Sequence, residues 1–214
     1  MALWDAWVQL IITIITFLSS QPGITESVAI VLFTFCVRLL LFPISFRSAY
    51  NMIMNKRALE GIRPKIEKLK ERYKNDPGQL TQKTMELYRK NNIKLMDRTM
   101  LYNAGLQGMI GLGTFQALKQ LPFTSKFLWI ENIAKPDVLM AVIVGLLSLC
   151  IMLLSPGAHE QLPMLITMAV ISTIVLCSFP SVIGIYWATS NLVSTLQALV
   201  LRVVINRKEA GQTH

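Results

Sequence analysis

One arginine stands inside an apolar run that is long enough to cross a bilayer. Residues 27–46 are mostly apolar, and Arg38 is the one charged residue among them. About 20 such residues are what a helix needs to span the hydrocarbon core, and a central arginine costs roughly 2.5 to 3.5 kcal/mol on insertion scales. We therefore expect a hydrated or polar surrounding for Arg38. The alternative is a side chain that reaches the interface or packs on the carbonyls of a neighbouring helix.

Two later apolar segments carry uncharged polar side chains on one helical face. The first contains Asn103, Gln107 and Thr114, and the second contains Tyr186 and Ser190. Amides and hydroxyls in lipid require partners, and the apolar parts of the predicted spans contain no Asp or Glu, since Glu26 stands at the very start of the first span. These side chains would therefore solvate the arginine in a hydrated, positively charged groove. The predicted groove residues are Arg38, Thr34, Gln107, Thr114, Tyr186, Trp187, Ser190 and Asn191.

The composition is that of a polytopic membrane protein. Of 214 residues, 53% are hydrophobic and 15% are charged, against about 25% charged residues in soluble domains. We predict an all-α fold with five transmembrane helices. Its parts are an amphipathic outer-surface helix (1–22), the first span (26–46), a cytoplasmic helical hairpin (47–98), spans two to five (100–204) and a short cytoplasmic tail (205–214).

The charge is concentrated between the first two predicted spans. The net charge of the chain is +9, and residues 47–98 contain fourteen Lys or Arg against six Asp or Glu, a net +8. Such segments stay cytoplasmic, which predicts an outer N-terminus and a cytoplasmic C-terminus. A proline at 64 suits the first turn of a new helix, and residues 75–78 predict a tight turn. Two short antiparallel helices would result.

The hairpin has two interpretations. It is either a solvated connector or a basic docking surface for anionic headgroups, ribosomal RNA or nascent chains. No pattern of base-stacking aromatic residues indicates recognition of a specific nucleic-acid sequence. The docking interpretation assigns client or ribosome binding to Arg63, Lys65, Lys68, Arg72, Lys74, Arg89 and Lys90.

The first residues have the pattern of an interfacial helix. Trp4 and Trp7 stand at one end of a segment whose apolar residues recur at helical spacing, and tryptophan suits the headgroup region. A short extra span is the alternative. No organelle transit peptide is recognisable, which favours the bacterial cytoplasmic membrane over mitochondrial or thylakoid membranes.

The residue types exclude most enzymes. Apart from Glu26 at the start of the first span, the predicted spans contain no acid, and they contain no histidine, so neither a nucleophile with a base nor a metal motif is present. We predict no catalytic residue, no metal and no cofactor. Cys36, Cys150 and Cys177 stand alone in apolar runs and resemble buried small hydrophobic residues. A small transporter or channel with an arginine anion site, or an assembly chaperone, remains an alternative function.

Several motifs in order along the chain resemble the YidC/Oxa/Alb membrane-protein insertases. They cover residues 35–43, 62–77, 85–90, 127–130, 135–137, 185–187 and 190–192. The resemblance implies a five-helix core whose groove opens to cytoplasm and lipid but not to the outside. It further implies that Arg38 draws in the polar outer segment of a client without nucleotide hydrolysis. The implied partners are newly made membrane proteins, the bilayer, and possible ribosome and Sec translocon contacts.

Two features depart from the family pattern. If Phe115 sets the register, Gly111 stands where the family has a glutamine, and Gln107 lies one turn away on the same face. We expect Gln107 to take over that role. The predicted cytoplasmic link at 155–161 is also shorter than is usual in the family.

Overall fold

The chain is built from helices. The computed structural model describes residues 2–94, 97–154 and 161–210, and no strand occurs within these ranges. This confirms the predicted all-α class for the described residues. The helices are α1 (Ala2–Ser19), α2 (Glu26–Arg72), α3 (Pro77–Lys90), α4 (Arg98–Gln120), α5 (Val138–Leu154), α6 (Leu162–Leu176) and α7 (Ser181–Ala210).

Three of the helices are long and apolar enough to cross a membrane. They lie in Ala2–Ser19, Glu26–Arg72 and Ser181–Arg207, while α5 and α6 are apolar but shorter. The helix α1 meets the same criterion as the other two, so its length and composition do not separate an interfacial helix from a short span. The helix α4 carries several glycines and amides and does not meet the criterion.

Contacts divide the chain into two compact units, namely residues 1–43 with 105–214, and residues 44–104. In the first unit, α5 packs against both α6 and α7. Its buried core includes Val8, Ile11 and Ile15 of α1. These three positions follow helical spacing, so α1 buries one continuous apolar stripe.

The second unit differs from the predicted hairpin at its first arm. We expected a new short helix to begin near Pro64, but α2 runs without a break from Glu26 through Pro64 to Arg72. Proline removes one backbone donor and leaves the carbonyl four residues earlier without its usual partner. Both Pro64 and Glu60 are exposed, so water can reach that carbonyl and the helix continues.

The second arm of the hairpin has clear boundaries. The turn predicted at 75–78 leads into α3, where the Asp76 carboxylate accepts from the Gln79 N–H at 3.0 Å and so caps one of the first backbone amides. At the other end the Asn91 side chain donates to the Leu87 carbonyl at 2.8 Å. Side-chain caps at both ends explain why a helix of 14 residues begins and ends at these positions.

A loop at 121–137 is fixed to the first residues of α2 and α7. The Thr124 and Ser125 N–H groups donate to the Glu26 carboxylate at 2.8 and 3.0 Å. The Ser181 and Val182 N–H groups donate to the carbonyls of Lys135 and Ile133. The loop therefore satisfies the first orphan donors of α7. The predicted link at 155–161, apart from Gln161, and residues 211–214 of the predicted tail lie outside the described residues.

A buried carboxylate organises the start of α4 within the second unit. The Thr99 hydroxyl donates to Asp97 at 2.6 Å, and the Asn51 amide of α2 donates to the same oxygen. These hydrogen bonds, from Thr99 first, lower the pKa of the Asp97 carboxyl against the opposing effect of burial. The stability that Asp97 contributes is thus present above the ordinary carboxyl pKa and is lost as the pH falls through the lowered one.

We expect the variant Asp97→Asn to remove this pH dependence. The stability difference between wild type and the variant should be constant above pH 6 and should shrink as the pH falls below about 4, the ordinary aspartate pKa. Thermal unfolding in detergent at pH 7, 5, 4 and 3 measures that difference, and all other carboxylates cancel between the two proteins. A difference that stays constant down to pH 3 would contradict the assignment.

Candidate functional site

A cavity of about 520 Å³ opens beside Arg38 in the first unit. Helix α2 contributes the arginine, and α4 and α7 contribute most of the remaining wall. Polar and apolar side chains share the lining, so the cavity is amphipathic rather than uniformly polar. It is lined by Arg38, Gln107, Gly108, Gly111, Leu112, Phe115, Phe179, Ile183, Tyr186, Trp187 and Ser190.

Arg38 is solvated by an amide instead of a carboxylate. Its Nη1 donates to Gln107 Oε1 at 3.1 Å, and no carboxylate forms an ion pair with it among the described residues. Arginine stays protonated in proteins, so the cavity wall holds a positive charge that the neighbouring groups solvate but do not neutralise. Such a site attracts anionic and polar groups, and its low-dielectric walls strengthen the attraction.

The side chain of Tyr186 in α7 reaches α4 at this wall. A methyl group on Gly111 would lie 3.8 Å from the Tyr186 hydroxyl, which is ordinary van der Waals contact. The Tyr186 hydroxyl therefore lies close to α4 at Gly111. One turn earlier in α4, the Gln107 side chain accepts the hydrogen bond from Arg38. At Gly111, where the resemblance places a glutamine, the Tyr186 hydroxyl is the nearest side-chain atom, and the amide that contacts Arg38 is that of Gln107.

The predicted threonines are both buried. Thr34 borders a small pocket next to the main cavity, together with Arg38 and Tyr186, and its hydroxyl donates to the Ile30 carbonyl at 2.7 Å. Thr114 is fully buried in α4, its hydroxyl has no partner within the described part of the chain, and it is not among the residues that line the cavity.

The predicted residues of α7 divide between two surroundings. Tyr186, Trp187 and Ser190 line the cavity, and the buried Ser190 hydroxyl has no protein partner in the residues described. Asn191 turns away from it, since its amide donates to Ser148 Oγ of α5 at 2.7 Å. The structure thus brings six of the eight predicted groove residues to the cavity or the adjoining pocket, and places Thr114 and Asn191 outside both.

Sequence reasoning did not find the apolar part of the lining. Leu112, Phe115, Phe179 and Ile183 form much of the wall. The signal was present in the spacing, because positions 107, 108, 111, 112 and 115 share one face of a helix, as do 183, 186, 187 and 190. The prediction rested on polar side chains and Trp187, and it made no statement about the apolar residues between them.

The basic residues assigned to docking all lie on the surface of the second unit. Each of the seven is exposed, and among the described ion pairs only Arg63 is engaged, with Glu67 at 3.6 Å. Arg72 lies over the Tyr73 ring with 6.0 Å between the guanidinium carbon and the ring centroid. No group of three or more possible metal ligands occurs within the described residues.

Comparison with known proteins identifies the family. The sequence model of the 60Kd inner membrane protein matches residues 17–209, which is nine-tenths of the chain. The chain belongs to this family. Relatives within it carry the name Membrane protein insertase YidC, which confirms the resemblance drawn from the motifs.

Two relatives from clostridia match this chain over most of their own length. The protein of Clostridium tetani is 27% identical over 97% of both chains, and that of Clostridium perfringens is 28% identical over 86% of this chain and 82% of its own. The protein of Aquifex aeolicus is 32% identical over 86% of this chain, and the matched region is only 36% of the Aquifex protein. The region matched by the family model, 17–209, includes every residue that lines the cavity.

Proposed function

We propose that this protein is a membrane-protein insertase whose working site is the cavity beside Arg38. The observation that carries the proposal is a permanently charged guanidinium, solvated by Gln107 rather than neutralised, in the wall of a cavity of about 520 Å³. The names of the relatives support the same activity. A charge kept in an apolar setting is expensive, and its retention indicates a functional role.

The amphipathic lining suits a client with two kinds of segment. The polar segment that must cross the membrane is drawn toward Arg38, Gln107, Tyr186 and Ser190. The apolar segment passes into lipid, a transfer worth about 25 cal/mol per Å² of buried apolar surface, along the side that Leu112 and Trp187 expose. This transfer drives the process, so no nucleotide and no cofactor are required.

Gln107 takes the role of the family glutamine in this proposal. Its side-chain oxygen accepts from Arg38 and holds the guanidinium at the cavity wall. Amide solvation leaves the full positive charge available to a client, whereas a carboxylate in the same place would cancel it. The polar groups of α7 complete the solvation from the other side.

Five membrane spans accommodate this arrangement. They would be the first part of α2 with α4, α5, α6 and α7, the N-terminus lying outside and the C-terminus in the cytoplasm of a bacterium. With 17 and 15 residues, α5 and α6 would extend roughly 26 and 22 Å at 1.5 Å per residue. A bilayer core of about 30 Å must thin around helices of this length, which shortens the path for the client.

The second unit would recruit clients in the cytoplasm. Its seven exposed basic side chains present a positive surface to newly made proteins, the ribosome or anionic headgroups, and contact with a Sec translocon fits the same placement. Attraction of this kind is electrostatic and falls with added salt.

The test is reconstitution of the purified full chain into liposomes with a small single-span client. We expect protease-protected client to accumulate without nucleotide, and no increase in anion flux across the same liposomes. Failure to insert any of several clients would contradict the insertase proposal, and anion flux in its place would favour a transporter with an arginine site.

A further inference from the structure

Helix α1 is joined to α4 by two tryptophans. Trp4 Nε1 donates to Gln116 Oε1 at 2.7 Å, and Trp7 Nε1 donates to the Met109 backbone carbonyl at 3.3 Å. The buried stripe of α1, with Val8, Ile11 and Ile15, continues the same contact into the core. Hydrogen bonds and apolar packing together therefore fix the register of α1 relative to α4.

Gly113 makes this register possible. A Cβ built on Gly113 would overlap Trp7 Nε1, lie 2.8 Å from Trp7 Cδ1 and lie 3.1 Å from Ile11 Cδ1. A real Cβ atom essentially never lies within 3.0 Å of another non-bonded heavy atom, so the indole fits against α4 in this position only because residue 113 has no Cβ. Gly113 is fully covered in this position, and any larger residue would push the Trp7 ring away.

The tryptophans and the cavity lie on opposite faces of α4. At 100° per residue, positions 109, 113, 116 and 117 centre on one side of the helix, and positions 107, 108, 111, 112 and 115 centre on the other. Helix α1 therefore covers the back of the helix that forms a cavity wall. That helix contains four glycines between positions 105 and 113, and glycine weakens a helix interior, so the wall depends on support from its neighbours.

We propose that Trp7, seated against Gly113, is a positioning residue that fixes the rotation and distance of α4. Through that contact it keeps Gln107 directed at Arg38 and sets the width of the cavity. Two measurements test this proposal, namely the position of the cavity face and the rate of client insertion. Only the second depends on the insertase function proposed above.

The test compares Gly113→Ala with Gly105→Ala, the same change in the same helix. A Cβ on Gly105 meets nothing within 4 Å, and Gly105 is not among the cavity-lining residues. Each variant also carries Gly108→Cys as a reporter, with Cys36, Cys150 and Cys177 changed to alanine. The rate at which a water-soluble maleimide labels the cysteine at 108 then reports the position of the cavity face.

We expect Gly113→Ala to change the labelling rate and to reduce client insertion, measured without the reporter, by about five- to tenfold, the effect of a modest overpacking strain. Gly105→Ala should change neither. The double variant Gly113→Ala with Trp7→Leu should restore both toward the wild-type values, because the smaller side chain gives the added methyl room. The labelling rate separates this role from a general loss of stability, because a folded protein that is only less stable keeps the wild-type position of the cavity face.

The proposal is overturned if Gly113→Ala labels at the wild-type rate, if Gly105→Ala has the same effect, or if Trp7→Leu worsens the defect. These outcomes are separate from failure of the insertase function. If the insertase function itself is wrong, the wild-type protein will insert no client, but the labelling rate will still change in Gly113→Ala and return in the double variant.

Discussion

Replacing Arg38 with alanine should reduce insertion of a client with an acidic outer tail by about thirtyfold. One client charge at about 8 Å from the guanidinium, at an effective dielectric constant of about 20, gains about 2 kcal/mol, and this corresponds to the expected factor. Arg38→Lys should retain part of the activity, because it keeps the charge but loses the planar donor geometry that meets Gln107. Insertion into liposomes, measured as protease-protected client, gives the rates.

The matched control for Arg38 is the same client with an uncharged tail. Alanine at position 38 should have little effect on this client, because the lost attraction acts on the tail charge. A second control is Arg202→Ala, which removes an arginine of α7 that donates to the Leu154 carbonyl at 2.8 Å and should affect both clients alike. Equal losses for acidic and uncharged tails in Arg38→Ala would contradict an electrostatic role.

Replacing Asn191 with aspartate should be among the most destabilising single changes in α7. The Asn191 amide donates to Ser148 Oγ at 2.7 Å, and the Ser148 hydroxyl donates to the Val144 carbonyl at 2.8 Å. A carboxylate of the same shape would lose the amide donor and place a charge at a buried contact between α5 and α7. Removing one partner and leaving a buried charge costs about 3 to 5 kcal/mol.

Thermal unfolding of Asn191→Asp at two pH values measures this penalty. The loss of stability should be large at pH 8 and smaller at pH 4, close to the ordinary aspartate pKa of about 3.9, because protonation removes the charge. The control Asn191→Leu removes the amide without adding a charge. It should cost only about 0.6 kcal/mol, the average for an interhelical hydrogen bond in a membrane protein. An equal loss in the two variants would contradict the role given to the charge.

The extent of individual helices was predictable where composition changes sharply. The apolar run at 138–154 is uninterrupted in the sequence and coincides with α5, and in the structure the Asp137 carboxylate accepts from the Met140 N–H at its start. The continuity of α2 through Pro64 was not predictable from local signals. Proline usually marks a boundary, and only the exposure of Glu60 and Pro64 in the fold makes the missing hydrogen bond tolerable.

The site was predictable in its polar residues and not in its orientation. Gln107 was expected beside Arg38, and the structure joins them. Thr114 lies on nearly the same face of α4 as Gln107, yet neighbouring helices cover it completely. Asn191 lies at the edge of the α7 face that holds Tyr186. Its side chain points to α5 because its amide donates a hydrogen bond to the Ser148 hydroxyl. Helical spacing defines a face, whereas the neighbours that cover it depend on long-range packing.

The contact between α1 and α4 could not be predicted from the sequence either. Trp4 and Trp7 predicted a contact with the headgroup region, and their spacing carries no information about a partner in α4. Only the three-dimensional arrangement pairs the Trp7 indole with the missing side chain of Gly113.

The central claim is that the polar segment of a client enters the cavity beside Arg38. A photoreactive amino acid at Leu112 of α4, which lines the cavity, tests this most directly. The matched control is Ile174 of α6, which is equally exposed and lines a separate apolar cleft between α5 and α6.

The account predicts that the probe at 112 captures the polar tail of a client arrested during insertion, and that the probe at 174 captures the tail at background level. The adduct at 112 should also weaken in the Arg38→Ala protein. Capture of the tail at 174 as strongly as at 112, or capture at 112 that is independent of Arg38, would contradict the account.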